Sequence, residues 1–269
     1  MLNPPWKIVV AGLSGALGGG ALVSLAWRAE TRWRRREAAR MHRALVELLL
    51  NALSAGDPVT ERHSRRVADL TDALALTYGI SRGQHSTLRL AALLHDMGKI
   101  DDRFFHTLHS CEPLSAEERR KMNEHPGQSA DILQPLESIH PGISQIVEAH
   151  HECWDGNGYP KRLKGEEIPL EARIISAADV FDALTQPRAY REPLPTEVAL
   201  EEIRKGSGSR FDPEVVERLQ QPEVLSRWIE ITQDGLREEG FEPAEQPNRI
   251  LSPGGIESPN VGRSSTHTQ

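Results

Sequence analysis

The chain is poor in cysteine and in strand-like alternation, and beyond its first 43 residues it carries no net positive charge. Its two cysteines, Cys111 and Cys153, form no CxxC pair, so no disulfide framework is implied and a reducing compartment fits. No apolar–polar alternation of useful length reads as a strand, which points to an all-α chain. Net positive charge is confined to one end. Residues 1–43 hold eight Lys/Arg against two acids, a balance of +6, leaving −13 for the rest of a chain whose net charge is −7. A body that acidic is unsuited to a long nucleic acid, which needs a broad basic face. An anionic substrate would have to be held locally, by a metal ion or a few placed cations.

What is present fits an ordinary globular protein, with 26% charged and 38% hydrophobic residues. The length of 269 residues suffices for one large helical domain and its appendages. Ile8 to Trp27 carries no charge over 20 residues, enough to cross a bilayer core of roughly 30 Å. The strongly basic stretch Arg28 to Arg36 follows it, and by the positive-inside rule the C-terminal side stays in the cytoplasm. A cleaved signal peptide would carry its charge before the apolar run. Residues 1–27 are therefore expected to be a single-pass anchor in the cytoplasmic membrane and 28–41 a basic juxtamembrane helix. The alternative is a Gly/Ala-rich tail packed on a partner or lying on the membrane surface. Gly15 and Gly19 match a small-residue helix-contact pattern, weak support for a homodimer.

From residue 42 the chain reads as consecutive helices. Asp57-Pro58 is a cap followed by Pro at the first helical position, and Gly79 is a stop. Leu88 to Leu94 mark a second helix ending near His95-Asp96. Ser115 to Glu118 is a capping box, and Ile143, Ile146 and Val147 mark a helix running into His150-His151. Ile174 to Leu184 is apolar nearly all round, as a core helix should be. Asp212-Pro213 repeats the cap signature, and a last helix covers roughly Pro222 to Glu239. Asp155 to Gly165 is a Gly-rich loop with room for a short hairpin. The folded domain is thus 42–239, and the Pro-, Gly- and Ser-rich stretch 240–269 is expected to be a disordered tail.

Several polar groups sit badly in apolar helices. His95-Asp96 follows Leu93-Leu94, and Asp179 lies in the most hydrophobic helix. A buried carboxylate needs donors, a cation or a metal, and a capped helix end or a salt bridge would satisfy any one of them. The set His63, His95, Asp96, His125, His150, His151 and Asp179, spread over five helical segments, points instead to a metal centre. Mixed His/Asp ligation without thiolates suits iron or manganese.

His95-Asp-Met-Gly-Lys99 matches the HDxGK motif of the HD hydrolase superfamily, and His150-His-Glu-Cys-Trp-Asp-Gly-Asn-Gly-Tyr-Pro160 matches the HHExxDGxGYP motif in full. Ala178-Asp179-Val-Phe-Asp182-Ala-Leu-Thr185 and Phe211-Asp212-Pro213 continue the pattern. Over about residues 42–220 the chain resembles the HD-GYP branch of the superfamily, metal-dependent phosphodiesterases of the cyclic di-GMP type. The resemblance implies a helical HD-domain bundle whose seven residues above hold two divalent ions, with Asp96 bridging them. It implies attack of a metal-bridging hydroxide on phosphorus. Lys99 would contact phosphate and assist the leaving oxygen, so Asp96 and Lys99 are the expected catalytic pair. Arg188 and Arg191 would contact substrate, or pair instead with Asp182 or Glu192. Gly156, Gly158, Tyr159 and Pro160 would shape the loop beside the site.

Two departures bear on this. Val59 stands where a three-metal subset of the family has Glu, so two metals are expected. The stretch Ile100 to Ser110 is one residue longer than usual beside the expected substrate mouth, which keeps other cyclic dinucleotides or nucleotides in play. His106 and His109 there are extra ligands or ordinary surface residues. The expected reaction is cyclic di-GMP hydrolysis to pGpG, with GMP as a possible further product. The competing class is a membrane-localised binding or adaptor protein with a weak site.

Overall fold

A computed structural model describes residues 19–100, 115–187 and 191–241. The apolar segment before residue 19, the lengthened loop with His106 and His109, Arg188 and the tail from residue 242 lie outside the described residues. Within them regular structure is helical throughout: α1 (Gly19–Gly56), α2 (Pro58–Ala75), α3 (Arg82–Leu94), α4 (Ala116–Met122), α5 (His125–Leu133), α6 (Ile143–Glu148), α7 (Leu170–Thr185), α8 (Thr196–Lys205), α9 (Pro213–Leu219) and α10 (Pro222–Glu238). The single β-bridge, Ser207 with Phe211, is isolated.

Local chemistry sets the boundaries. Asp57 accepts a hydrogen bond from Val59 N and starts α2, with Pro58 at a position that needs no donor. Ser81 with Gln84 and Ser115 with Glu118 form capping boxes at α3 and α4. Asp212 caps α9 through Glu214 N. Helix α2 gives way at Ala75 to a 3₁₀ turn over Leu76–Tyr78, and Gly79, at φ +61°, ends the run. The hairpin allowed for at 155–165 is absent. Trp154 N and Asp155 N donate to Arg210 O and Ser209 O, and Gly165 N donates to Trp154 O, so the loop's ends meet without a strand ladder and the segment stays irregular.

The core is organised on α2 and α7. Helix α2 packs against α1, α3, α7 and α10, and α7 also meets α8 and α9. Phe181 of α7 and Trp228 of α10 are fully buried with ring centroids 4.7 Å apart, and Trp228 Nε1 donates to Leu70 O at 2.9 Å. Helix α1 continues unbroken through 28–41 and enters the core only near its end, where Leu50 and Leu53 are buried. No helix among the described residues is long and apolar enough to cross a membrane.

Because Trp228 closes the seam between α2, α7 and α10, Trp228→Ala should destabilise the domain by about 3–5 kcal/mol, as large core truncations do. Urea unfolding followed by far-UV circular dichroism reads this directly. A loss below about 1 kcal/mol would mean that α10 is peripheral to the fold.

Candidate metal centre

Seven side chains meet at one end of the α2–α7 core. His63 projects from α2, His95 caps α3 and Asp96 follows it, and His125 opens α5. His150 and His151 sit in the turn after α6, and Asp179 lies on α7. They fall into two groups. His63, His95 and Asp179 have ligand atoms within 4.8 Å of one another, as do His125, His150 and His151, and His95, Asp96 and His150 overlap both.

Asp96 stands between the groups with one oxygen toward each. Its Oδ2 lies 3.4 Å from His95 Nε2 and 4.0 Å from His63 Nε2, while its Oδ1 lies 3.2 Å from His125 Nε2. Asp179 Oδ1 lies 3.1 Å from His63 Nε2. The rings of His150 and His151 are 4.0 Å apart between centroids.

The imidazoles are aimed by their second nitrogen. Nδ1 of His95, His125 and His150 is hydrogen-bonded to the carbonyl three residues earlier, at Ala92, Met122 and Val147. His63 Nδ1 meets Asp182 Oδ2 at 2.7 Å instead. Each ring thereby turns Nε2 inward in the tautomer a metal ligand requires. The buried Nε2 atoms of His95, His125 and His150, and Asp96 Oδ1, have no well-formed hydrogen bond among the described residues. Buried polar atoms are rarely left so. Four convergent acceptors in a set of imidazoles and carboxylates fit divalent cations.

Electrostatics agrees. Burial pushes His95, His150 and His151 down, His151 to about 3, so these rings are neutral near pH 7 with a lone pair free. His63 goes the other way: burial opposes it, but the Asp179 and Asp182 carboxylates raise it. Burial would raise the two inner carboxylates as well. Neighbouring His95, Lys99 and His125 hold Asp96 well below the usual range, and His63 does so for Asp179.

The HD turn itself requires glycine. A Cβ on Gly98 would lie 2.4 Å from His125 O and 2.9 Å from Ser129 N, so only a bare backbone lets this turn touch α5. Lys99 follows His95 by four residues, the spacing of one helix face. The helix ends at Leu94, and Lys99 lies on a 3₁₀ turn over Met97–Ile100, because Asp96 O accepts from Lys99 N at 2.9 Å. Its Nζ still reaches the site, donating to Asp96 Oδ2 at 2.6 Å. Arg191 donates to Ala183 O and has no hydrogen bond or ion pair to the seven residues. The motif loop folds against the site: Tyr159 lies over His151 at 5.0 Å between centroids and precedes Pro160 through a cis bond. A Cβ on Gly158 would lie 2.3 Å from Cys153 N, and Gly156 adopts φ +86°. Glu152, buried, accepts from Lys161 N and Leu163 N and holds the loop's return.

Sequence reasoning missed the role of Asp182. Its carboxylate takes both His63 Nδ1 and the buried Arg66 guanidinium, whose Nε and Nη2 donate at 2.7 and 3.1 Å. The available signal was its spacing, three residues after Asp179 on one helix face.

Residues 47–215 match the HD domain family, and the chain belongs to it. Its full HHExxDGxGYP stretch assigns it to the HD-GYP branch. It is 38% identical over 189 residues to a 3′3′-cGAMP-specific phosphodiesterase of Vibrio cholerae, covering 69% of this chain and 35% of that protein. It is 40% identical over 175 residues to a cyclic di-GMP phosphodiesterase of Thermotoga maritima, covering 63% and 46%. The chain thus spans about a third to a half of the length of these curated relatives. Among solved structures, a cyclic GMP-AMP specific phosphodiesterase of Vibrio cholerae shares the fold, with a TM-score of 0.52 at 24% identity over 75% of this chain and 54% of that one.

Asp182→Ala would leave Arg66 buried without its counter-ion. It should cost about 3–5 kcal/mol, as removal of one partner of a buried pair does. Asp182→Asn, which keeps a hydrogen-bond acceptor, should cost less. Equal losses from both in chemical denaturation would show that charge plays no part there.

Proposed function

We propose that this protein is a metal-dependent phosphodiesterase that hydrolyses cyclic di-GMP to pGpG, with GMP as the further product. The observation that carries this is the pair of His/Asp groups sharing Asp96, with inward Nε2 atoms left without well-formed partners. His63, His95 and Asp179 would hold one divalent cation and His125, His150 and His151 a second, with Asp96 common to both. Iron or manganese suits such a set. Cations held there would lower the pKa of water toward neutrality and offset charge building on phosphorus.

The chain's own groups do the rest. Nδ1 bonds fix each imidazole before substrate arrives, so no reorganisation is needed during reaction. Lys99 Nζ, 2.6 Å from Asp96 and partly exposed, contacts substrate phosphate and carries the proton for the leaving oxygen. Arg188 and Arg191 offer forks for phosphate or guanine edges. The apolar segment before Arg28 tethers the catalytic domain to the cytoplasmic face of the membrane. A second reading, with 3′3′-cGAMP as substrate, is favoured by the Vibrio cholerae relative that acts on it.

The test is turnover by the purified full chain, loaded anaerobically with ferrous iron or manganese, of cyclic di-GMP, 3′3′-cGAMP and cyclic di-AMP, read by chromatography. Cyclic di-GMP should be cleaved fastest, and His95→Ala with Asp96→Ala should reduce cleavage to background. Lys99→Ala should lower kcat by about 10²–10⁴-fold, the usual worth of a general acid. Turnover of none of the three by metal-loaded protein sinks the proposal.

Acid should release the metals. A ligand imidazole must be neutral, and the Asp179 and Asp182 carboxylates favour protonation of His63 as pH falls, while His151, at about 3, stays neutral. Manganese affinity, followed by electron paramagnetic resonance between pH 8 and 5.5, should weaken steadily on acidification. Constant affinity across that window would remove His63 from the ligand set.

A further inference from the structure

Helix α1 spans 38 residues, yet of its described side chains only Val46, Leu49, Leu50 and Leu53 pack on the hydrophobic core. Its earlier turns are exposed, and a solvated helix of this kind draws little stability from propensity alone. The exposed face is patterned. Trp27, Thr31, Arg34, Ala38, Met41, Leu45, Leu48 and Ala52 recur at alternating spacings of four and three. That is a heptad seam with Trp27, Arg34, Met41 and Leu48 at d and Thr31, Ala38, Leu45 and Ala52 at a. Its large apolar members are uncovered: Trp27 is 67% exposed, Met41 74%, Leu45 41% and Leu48 64%. The seam is turned roughly 100° about the helix axis from the side chains that enter the core, so both faces can be filled at once.

We propose that α1 forms a parallel two-stranded coiled coil with a second copy of this chain over residues 27–52. Charge selects the partner and the direction. The positions flanking the seam are Glu30 and Glu37 at g and Arg28 and Arg35 at e. In a parallel pair, g of one helix faces e of the next heptad on the other, which sets Glu30 opposite Arg35 of the second copy, twice by symmetry. An antiparallel pair would set Arg against Arg and Glu against Glu. The position five after Glu37 is His42, already hydrogen-bonded to His140 Nε2 within its own chain at 2.9 Å, so the Glu30–Arg35 pairs carry the selection. Arg34 interrupts the seam, but its guanidinium turns outward onto Glu30 at 2.7 Å and is 72% exposed. Met41, Leu45 and Leu48 supply the apolar contact, and the other arginines, Arg32, Arg36, Arg40 and Arg43, fall at b, c and f, away from it. The interface gives the expected homodimer a defined seam. It rests on helix geometry and charge, independently of the catalytic reading.

The experiment uses the full chain in detergent micelles, in a Cys111→Ser, Cys153→Ser background. Met41→Cys and Leu48→Cys should each form a disulfide-linked dimer on mild oxidation, and Arg43→Cys, facing outward, should not. Sedimentation should give a protein mass of two chains, falling to one in Leu45→Glu with Leu48→Glu while the thermal midpoint of the catalytic domain stays put, since both residues are exposed. Glu30→Arg should weaken the dimer, and adding Arg35→Glu should restore it. A single-chain mass without cross-links, cross-linking through position 43 in preference to 41 and 48, a mass of three chains or more, or a monomer that pellets with anionic vesicles through its arginines would each overturn the proposal.

Discussion

Four imidazoles point into one small volume because each has its Nδ1 spoken for. Three are tied to a carbonyl of the preceding turn, at Ala92, Met122 and Val147, and the fourth to Asp182. A ring held on one nitrogen presents the other along a fixed line, and the helix ends that carry the rings set where the lines cross. Much of the surrounding structure serves that crossing. Gly98 brings the HD turn against α5, Ser129 receives the turn's amide, and Glu152 holds the motif loop beneath Tyr159. The Arg66–Asp182 pair does for His63 what backbone does for the others, since α2 runs on past His63 without offering a free carbonyl.

The arrangement also resolves a conflict in charge. Burying Asp96, Asp179 and Asp182 is unfavourable unless cations or donors answer them, and the fold supplies Lys99, His63 and Arg66 at hydrogen-bond distance. The answer is unequal. Asp182 is fully engaged, whereas Asp96 keeps Oδ1 without a well-formed hydrogen bond, 3.2 Å from His125 Nε2. On α7 itself, structural pairing at Asp182 and metal-competent pairing at Asp179 sit side by side, three residues apart. The same logic would suit an acidic domain to the proposed anionic substrate, with attraction concentrated at one point and not spread over the surface.

Much of this was legible in the sequence wherever the signal was local. Asp57-Pro58, the Ser115 box and Asp212-Pro213 start helices because a cap needs only its neighbours. The seven clustered residues were legible because so many imidazoles and carboxylates in apolar helices demand a shared answer. Features that depend on contacts distant in sequence were not. Asp182 reads as one more acid until α2 brings Arg66 and His63 onto it from more than a hundred residues away. The hairpin at 155–165 did not form, and the start of that segment is paired instead with the distant turn at 209–210. Lys99 left the helix because the chain tightens into a 3₁₀ turn at Asp96, a change no periodicity announces.

Helix α1 ties the exposed end of the molecule to both halves of the site. It ends at Gly56, one residue before the cap that starts α2, and His63 lies less than two turns further on. Earlier along the same helix, His42 meets His140, which also contacts Thr87 on α3 and precedes the turn that starts α6, the helix delivering His150 and His151. One route thus runs through covalent continuity to the His63 group, and the other through a buried histidine to the His150 group. Because interiors are close-packed and yield little, a helix pinned at these two points shifts only if both contacts are repacked or the domain moves with it. The geometry of the metal-competent groups and the position of the basic helix are therefore parts of one mechanical unit.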